Sequence, residues 1–303
     1  MRAACTISFG GRAGIPKLGR CRLAVASGSY IPRRRYVFAP AKIEEGEQVA
    51  IVFITGSADG LGRAAAETLL TEGHRVLLHV RSNDRIPAMG DIASRAAGIA
   101  IGDLSSAREV KSIADQVNAI GRMDAIIHNA GVYTERTRGS TIEGHPNTLA
   151  VNSLAPYMLT ALIERPARLV YLSSSLHRGG EGSLSDLNWN KRPWDWARAY
   201  SESKLHVVAL ALALSRRWPH VLSHAVDPGW ARTKMGGVDA PVDIDTGQRT
   251  QSWLAVSGES AAKVSGRYWR HLKQEAPANE ATHPEFQARL IAEFARLTGV
   301  ALP

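Results

Sequence analysis

The sequence predicts an α/β fold in which a single doubly wound parallel sheet carries helices on both faces. Short runs that are apolar throughout alternate along the chain with stretches of helical spacing. These runs lack the polar–apolar alternation of a half-exposed sheet, as expected for parallel strands that are buried on both faces. A glycine-rich turn joins the first apolar run to the first helical stretch.

Strands and helices are expected in regular alternation from Val49 onward. The strands are expected at 49–54, 75–80, 98–104, 123–131, 167–175 and 221–229. The helices are expected at 62–73, 105–121, about 145–163 and about 197–218. Residues 265–299 predict a last strand, a polar crossing and a final amphipathic helix. Since neither a repeat nor a linker interrupts residues 49–303, we expect them to form one domain.

The net charge of +9 is concentrated at the N-terminus. Residues 1–42 contain nine Lys or Arg and no Asp or Glu, which leaves 28 basic and 28 acidic residues in the remainder. A nearly neutral body argues against a nucleic-acid partner. We expect residues 1–48 to be a basic, disordered extension. Organellar targeting by residues 1–42 is the alternative, because this tail is rich in Arg, Gly and Ser.

Other features of the composition exclude several classes of protein. Both cysteines, Cys5 and Cys21, lie in the tail, so we expect neither a disulfide framework nor a metal site. The histidines show no ligand spacing, and His79, His128 and His224 fall in predicted strands, where they are expected to be packed. No apolar run approaches the ~20 residues that span a bilayer. We therefore expect a cytoplasmic protein.

The turn TGSADGLGR at 55–63 predicts a dinucleotide-binding loop. Gly56, Gly60 and Gly62 stand where the backbone must turn sharply and let a pyrophosphate approach main-chain N–H groups. The N-terminus of the following helix would stabilise that anion. Because the turn directly follows the first strand, this context favours a Rossmann-type sheet over a purely structural turn.

The end of the second strand, HVRS, favours NADP over NAD. An acid here usually holds the ribose 2′-OH of NAD, whereas a nearby Arg accommodates the 2′-phosphate of NADP. This chain has Val80 and then Arg81. Asp59, in the glycine loop, argues against NADP, because a carboxylate there would repel a 2′-phosphate.

The stretch AYSESKL at 199–205 places Tyr200 and Lys204 one helical turn apart, where side chains are neighbours. A free tyrosine has a pKa of about 10, and a neighbouring ammonium lowers that pKa. Reduction of a carbonyl by a nicotinamide needs such a proton donor at the oxygen. Taken separately, the two residues would be an amphipathic residue at a helix start and a surface charge.

In these motifs the sequence resembles the short-chain dehydrogenases/reductases. The similarity covers about 49–299, and SSSLHRGG (173–180) and AYSESKL resemble the retinol-dehydrogenase-like and ketoreductase-like members. The family motifs occur in the family's order: TGxxxGxG at 55–62, Asp103-Leu104, Asn129-Ala130-Gly131, Asn152 in AVNSLAPY, Ser174 in LVYLSSS, Tyr200 with Lys204, and Pro228-Gly229 with Thr233.

The resemblance implies four catalytic residues. Tyr200 would be the general acid and base, and Lys204 would also bind the nicotinamide ribose. Ser174 would steady the substrate oxygen, with Ser173 as the alternative, and Asn152 would hold a water in a proton relay. Without the resemblance, Asn152 would be interpreted as a helix-interior residue whose side-chain amide is hydrogen-bonded to the backbone.

The resemblance also implies the cofactor-binding residues. Asp103 would face the adenine, the segment 129–131 would line the dinucleotide groove, and Pro228, Gly229 and Thr233 would contact the nicotinamide end. The complete expected set is Thr55, Gly56, Gly60, Leu61, Gly62, Arg81, Asp103, Leu104, Asn129, Ala130, Gly131, Tyr200, Lys204, Pro228, Gly229 and Thr233.

Two segments are candidates for the substrate side. The residues between Ser174 and Tyr200 include Trp189, Trp194 and Trp196, which would either wall an apolar substrate site or cover a helix end. Residues 230–247 are rich in Gly and Pro and are expected to close over the substrate.

These expectations define an NAD(P)-dependent oxidoreductase, with NADPH preferred, that acts on a carbonyl or alcohol of a fairly apolar small molecule. The alternatives are a catalytically idle NAD(P)-binding regulator and a sugar-nucleotide epimerase, whose glycine loop usually has GxxGxxG spacing. The resemblance also implies a homo-oligomer, and nothing in the sequence selects between a dimer and a tetramer.

Overall fold

A computed structural model of the chain describes residues 49–133 and 135–303. Within this range one eight-stranded sheet has the order β3-β2-β1-β4-β5-β6-β7-β8. The first seven strands are parallel, and β8 runs antiparallel to β7 at the edge. The strands are β1 (Ile51–Ile54), β2 (Arg75–Val80), β3 (Gly98–Ile101), β4 (Ala125–His128), β5 (Arg168–Leu172), β6 (Leu222–Asp227), β7 (Arg267–Arg270) and β8 (Lys273–Glu275).

Helices cover both faces of the sheet, and the expected doubly wound α/β fold is confirmed. In chain order the helices are α1 (Gly60–Thr71), α2 (Ile92–Arg95), α3 (Ala107–Ile120), α4 (Asn147–Leu149), α5 (Ala155–Leu162), α6 (Trp196–Arg217), α7 (Ile244–Val256), α8 (Asn279–Thr282) and α9 (Pro284–Thr298).

Two hydrophobic cores explain why the strands are apolar throughout. Side chains such as Phe53 and Leu77 pack on one face against α3, α5, α6 and α9. Their neighbours Val52 and Ile54 pack on the other face against α1 and α7. Because successive side chains of a strand point to opposite faces, a sheet covered on both faces needs an apolar residue at every position.

Four strands end before the sequence predicts. The expected strands 98–104, 123–131, 167–175 and 221–229 are observed as 98–101, 125–128, 168–172 and 222–227. In each case the backbone leaves the sheet at its carboxyl edge, where polar or small residues such as Asp103, Asn129 and Ser174 follow the apolar run. The residues released there are those that the family motifs single out.

Three elements differ more strongly from the expectations. The helix expected at 145–163 is divided into α4, a π-helical turn at Ala150–Leu154, and α5. Strand β8 was not expected. Helix α7 begins at Ile244, inside the segment expected to be loop, because the side chain of Asp243 caps its first turn through Thr246 N–H at 2.6 Å.

The expected extension at 1–48 lies outside the described residues. Within 49–133 and 135–303, no helix is both long and apolar enough to cross a membrane. The same part of the chain contains no cluster of His, Cys, Asp and Glu suited to a metal ion. His79, His128 and His224 are all buried in strands.

Candidate active site

A cavity of ≈ 620 Å³ opens at the carboxyl edge of the sheet, between the ends of β1 and β4, where the strand order reverses. Such a switch point is the usual ligand site of an open α/β sheet. Thr55, Gly62, Gly229, Asn152 and Ser174 do not line it. The expected site residues that do line it are Gly56, Gly60, Leu61, Arg81, Asp103, Leu104, Asn129, Ala130, Gly131, Tyr200, Lys204, Pro228 and Thr233.

The glycine loop depends on the absence of side chains at three positions. Gly56 and Gly60 have φ of +65° and +56°, in the left-handed region that favours glycine. A Cβ on Gly62 would lie 2.4 Å from Nδ2 of Asn129 and 2.5 Å from the carbonyl oxygen of Gly56. Gly62 therefore lets the first turn of α1 pack directly on the loop that follows β4.

Thr55 and Asn129 join the ends of β1 and β4. The Thr55 hydroxyl accepts hydrogen bonds from the N–H groups of Asn129 and Ala130, both at 3.0 Å. The Asn129 amide donates to the carbonyls of Thr55 and Gly56 at 3.0 and 3.2 Å. These contacts hold the two strand ends together beneath the cavity.

His79, on β2, supports the loop in a way the sequence did not indicate. Its Nδ1 accepts from Gly56 N–H at 3.0 Å, and its Nε2 lies 3.0 Å from the carbonyl oxygen of Gly102. Burial lowers the pKa of His79 to about 4, so the ring is neutral and donates from Nε2. A histidine in an apolar strand looks like a packed residue, and only its partners reveal this bridge.

Cations surround Asp59 at the far end of the cavity. Its Oδ2 accepts from Arg85 at 2.9 Å and from Lys234 at 3.0 Å, and the exposed Arg81 lines the same cavity. The expected repulsion of a phosphate by Asp59 is therefore offset by its partners. Arg85 was missed because it lies beyond the end of β2, in the short 3₁₀ helix Asn83–Arg85.

Asp103 and Leu104 line the cavity just beyond β3. The Asp103 carboxylate accepts from the N–H and the hydroxyl of Ser105, both at 2.8 Å. The Asp103 N–H donates to the carboxylate of Glu109 at 2.7 Å. These bonds hold the segment that the resemblance assigns to the adenine.

Tyr200 and Lys204 lie on α6 and are 8 % and 4 % exposed. Lys204 Nζ donates to the carbonyl of Leu172 at 2.8 Å and lies 5.5 Å from the centre of the Tyr200 ring. Both side chains reach the cavity, so the i, i+4 spacing brings them together as expected.

Burial controls the acidity of this pair. It raises the pKa of Tyr200 above its ordinary value, while a hydrogen bond from Ser174 acts in the opposite direction. It lowers the pKa of Lys204 to about 8. The expected lowering of the Tyr200 pKa by Lys204 is not found, because burial, together with the nearby Tyr133 and Asp227, raises that pKa.

Of the two serines, Ser174 acts on the Tyr200 phenol and lowers its pKa against the effect of burial, while Ser173 lines the cavity. The Ser174 hydroxyl is half-buried and also accepts from Leu176 N–H at 3.2 Å, which caps the 3₁₀ helix Ser175–Gly179. Ser173 is buried, and its hydroxyl donates to the Lys204 carbonyl at 3.0 Å. Ser173 thus joins β5 to α6, and Ser174 remains at the phenol.

Asn152 lies in the π-helical turn, a feature that often occurs at functional sites. Its Oδ1 accepts from Val132 N–H at 2.8 Å. Its Nδ2 donates to the Val132 carbonyl at 2.9 Å and to the Ser203 hydroxyl at 3.0 Å. The amide therefore connects the loop after β4 to α6, one residue from Lys204.

The three tryptophans of the segment before α6 have different environments. The Trp196 ring lies 5.0 Å from that of Tyr133, which in turn lies 4.5 Å from that of Tyr200. Trp189 and Trp194 pack against each other at 5.3 Å, and Trp189 is 5 % exposed. Trp196 thus belongs to an aromatic wall beside Tyr200, whereas Trp189 is packed in the interior.

The loop 230–243 lies along one side of the cavity. Thr233, Lys234 and Met235 line the cavity, and Trp230 Nε1 donates to the carbonyl of Gly236 at 2.7 Å. The pair of Lys234 with Asp59 connects this loop to the glycine loop. Fold and site together define a dinucleotide-binding protein.

Comparisons with known proteins identify the family. The short chain dehydrogenase family matches residues 50–241. An uncharacterized oxidoreductase of Emericella nidulans is 38 % identical over 257 residues, which cover 83 % of this chain and 98 % of that protein. Retinol dehydrogenase 13 of Homo sapiens is 32 % identical, with 83 % and 85 % covered. The chain belongs to the short-chain dehydrogenases/reductases, oxidoreductases that use a nicotinamide cofactor.

A solved structure has the same fold. A crystal structure of a protein from Mycobacterium Paratuberculosis has a TM-score of 0.73 at 26 % identity and covers 88 % of this chain and 99 % of its own. The predicted resemblance to the family, including its retinol-dehydrogenase-like members, is confirmed.

Proposed function

We propose that the protein is an NADPH-preferring oxidoreductase that transfers a hydride between the nicotinamide and the carbonyl or alcohol carbon of a fairly apolar small molecule. The observation that carries this proposal is that Tyr200 and Lys204 both line the dinucleotide cavity, with Lys204 Nζ 5.5 Å from the centre of the Tyr200 ring.

The cavity residues fit a dinucleotide. The glycine loop lines the cavity at Gly56 and Gly60, and the nearest atom to a Cβ on Gly60 would be Thr233 Cγ2, in ordinary contact at 3.5 Å. Cations lie at one end of the cavity and the Tyr200–Lys204 pair at the other. When bound, the nicotinamide supplies or accepts the hydride.

The four catalytic residues have separate proposed roles. In reduction, Tyr200 donates its proton to the carbonyl oxygen as the carbon accepts a hydride, and in oxidation both transfers reverse. Ser174 hydrogen-bonds the same oxygen. Lys204 holds the ribose and a positive charge near the phenol, and Asn152 holds the loop after β4 against α6. Burial raises the pKa of Tyr200, so the phenol carries its proton at neutral pH.

The preference for NADPH is supported by charge. Arg81 and Arg85 follow β2 where an acid that selects NAD would lie, and Lys234 adds a third cation. Asp59 lies among these cations and is paired with Arg85 and Lys234.

The apolar substrate is supported by the surroundings of Tyr200. The rings of Tyr133 and Trp196 lie on one side of Tyr200. Two further apolar side chains are each 45 % exposed: Leu176, two residues after Ser174, and Met235, which lines the cavity. The name of retinol dehydrogenase 13 also indicates an apolar alcohol as substrate of that relative.

The test begins with fluorescence titration of NADPH and NADH, followed by a screen of apolar ketones and aldehydes that records the absorbance of the reduced nicotinamide. Tyr200→Phe should retain NADPH binding and lose turnover by about 10²- to 10⁴-fold, because the proton donor is removed. Tyr157→Phe is the matched control, since its hydroxyl bonds the distant Val300 carbonyl. Full turnover by Tyr200→Phe would refute the mechanism, and NADPH binding without any turnover would favour a regulator.

A further inference from the structure

Asp227 is a buried carboxylate beside the cavity for which the family motifs indicate no role. It is the last residue of β6, is 1 % exposed, and directly precedes the cavity residue Pro228. Its Oδ1 accepts from Gly229 N–H at 2.8 Å. Its Oδ2 is buried without a hydrogen-bond partner, and Arg270 Nε lies 3.7 Å from it. A buried carboxylate is costly unless a nearby positive charge compensates it.

Lys204 is a buried cation whose hydrogen-bond acceptor carries no charge. Its ammonium is buried, and its hydrogen-bond acceptor at 2.8 Å is the neutral carbonyl of Leu172. Leu172 pairs with Val226 across β5 and β6, and Ser173 N–H donates to the Val226 carbonyl at 2.7 Å. Asp227 is the next residue after Val226, so the ammonium and the carboxylate lie at the adjacent ends of two paired strands.

We infer that Asp227 is the buried counter-ion of Lys204, a positioning residue that keeps the amine charged and the Tyr200 phenol protonated. The role in catalysis rests on the proposed function, whereas the pairing of charges does not. Among the described residues, Asp227 is the charge that opposes the effect of burial on the Lys204 pKa, and it also raises the Tyr200 pKa.

Other titratable groups face Asp227 from each neighbouring element. His177 lies on the 3₁₀ helix, and burial lowers its pKa. Tyr268 lies on β7, where burial raises its pKa, and Arg270 follows on the same strand. Since the pKa of Lys204 is about 8, Lys204 is the member of this group expected to titrate between neutral and mildly alkaline pH. The remaining charges beside His177 and Tyr268 are those of Arg178 and Glu275.

The test replaces the carboxylate by an amide of the same shape. Asp227→Asn keeps an oxygen that can accept from Gly229 N–H but removes the charge. The Lys204 pKa is followed by NMR of protein labelled with ¹³C at lysine Cε, with the signal assigned by Lys204→Arg. We expect this pKa to fall by about one unit, the usual effect of losing one neighbouring opposite charge. The pH profile of kcat should move to lower pH by a similar amount.

Glu275→Gln is the matched control. It removes a carboxylate that acts on His177 and Tyr268 but not on Tyr200 or Lys204, so neither the Lys204 pKa nor the kcat profile should move. A loss of kcat in Asp227→Asn without a shift of the Lys204 pKa or of the pH profile of kcat would indicate a merely structural role and overturn the inference.

Two further outcomes are distinguishable. If the wild-type protein shows no turnover, the proposed function fails, but the NMR shift still decides the pairing of Asp227 with Lys204. If Asp227→Asn does not fold, Arg270→Gln replaces it, because Arg270 is 41 % exposed at its side chain. Loss of this cation leaves the Asp227 charge less neutralised and should raise the Lys204 pKa; an unchanged pKa would overturn the inference.

Discussion

At the scale of single residues, burial is the main influence on the chemistry of Tyr200 and Lys204. Both would be ordinary titrating groups in water. In the interior the phenol is harder to ionise, so its pKa is raised, and the ammonium is easier to deprotonate, so its pKa is lowered. Burial thus favours the neutral form of both groups. Spacing in the sequence predicts that the two side chains meet, but not how much water surrounds them.

Cofactor choice is also decided by single residues, and Arg81 and Arg85 offer a direct test. Arg81→Ala and Arg85→Ala should each weaken NADPH binding about tenfold or more and leave NADH binding nearly unchanged, because a charged hydrogen bond to the 2′-phosphate is lost. Binding is measured by fluorescence titration.

Arg63→Ala is the control for these variants, since Arg63 pairs with Glu67 on α1 and does not line the cavity. An equal loss of NADPH and NADH affinity in Arg81→Ala would contradict the proposed selectivity.

At the scale of elements, the segment before α6 is held in place by a buried ion pair. Arg192 donates to both carboxylate oxygens of Glu202, at 2.6 and 2.7 Å, and its guanidinium lies 3.7 Å from the centre of the Trp189 ring. Trp189 has φ of +53°, an uncommon conformation for a tryptophan. Trp194 Nε1 donates to the Glu135 carbonyl at 2.8 Å, which joins this segment to the loop after β4.

We expect Glu202→Gln to lower the free energy of unfolding by about 1–3 kcal/mol, because the part-buried Arg192 guanidinium loses a doubly hydrogen-bonded carboxylate while Asp186 and Glu181 stay within 4 Å of it. Urea unfolding at pH 7 measures this loss. Glu293→Gln breaks the exposed pair with Arg296 and should change stability by about 1 kcal/mol or less. Similar losses in the two variants would show that the Arg192–Glu202 pair is not a main anchor of the segment.

At the scale of the whole molecule, buried histidines connect stability to pH. Burial lowers the pKa of His79 and His224 to about 4 and that of His128 and His206 to about 3. In the unfolded chain these groups titrate near pH 6.5. Between these values the unfolded chain binds more protons than the folded one, so stability is complete above about pH 6.5 and falls as the pH is lowered.

We therefore expect steep acid unfolding between pH 6.5 and about 4, because each buried histidine that stays neutral costs the folded state about 1.4 kcal/mol for every pH unit below 6.5. Circular dichroism against pH, with urea titrations at several pH values, measures the slope. His128→Gln should reduce that slope, whereas His283→Gln, at an exposed residue of α9's N-cap, should not. A slope that is the same in both variants would contradict this origin of the acid sensitivity.

Much of the fold could be predicted because its signals are local. Apolar runs such as VAIVFI mark strands buried on both faces, and the order of strands and helices then limits the topology to a doubly wound sheet. Strand ends were placed too late, since the motif residues that follow the strands, such as Asp103 and Asn129, were counted as part of them. Strand β8 was missed because its residues, Lys273–Glu275, are polar edge residues without a strand pattern.

The sequence by itself determined the family, the parallel sheet, and the glycine loop and Tyr200–Lys204 pair that line the cavity, because each depends on a motif or a period within a short stretch of chain. Only the tertiary structure decided that His79 supports the glycine loop, that Arg85 and Lys234 neutralise Asp59, and that Asp227 lies beside the end of β5. The physical reason is that charge compensation and desolvation depend on which distant segments the sheet brings together. Those contacts, rather than the motif alone, decide the protonation states of Tyr200 and Lys204.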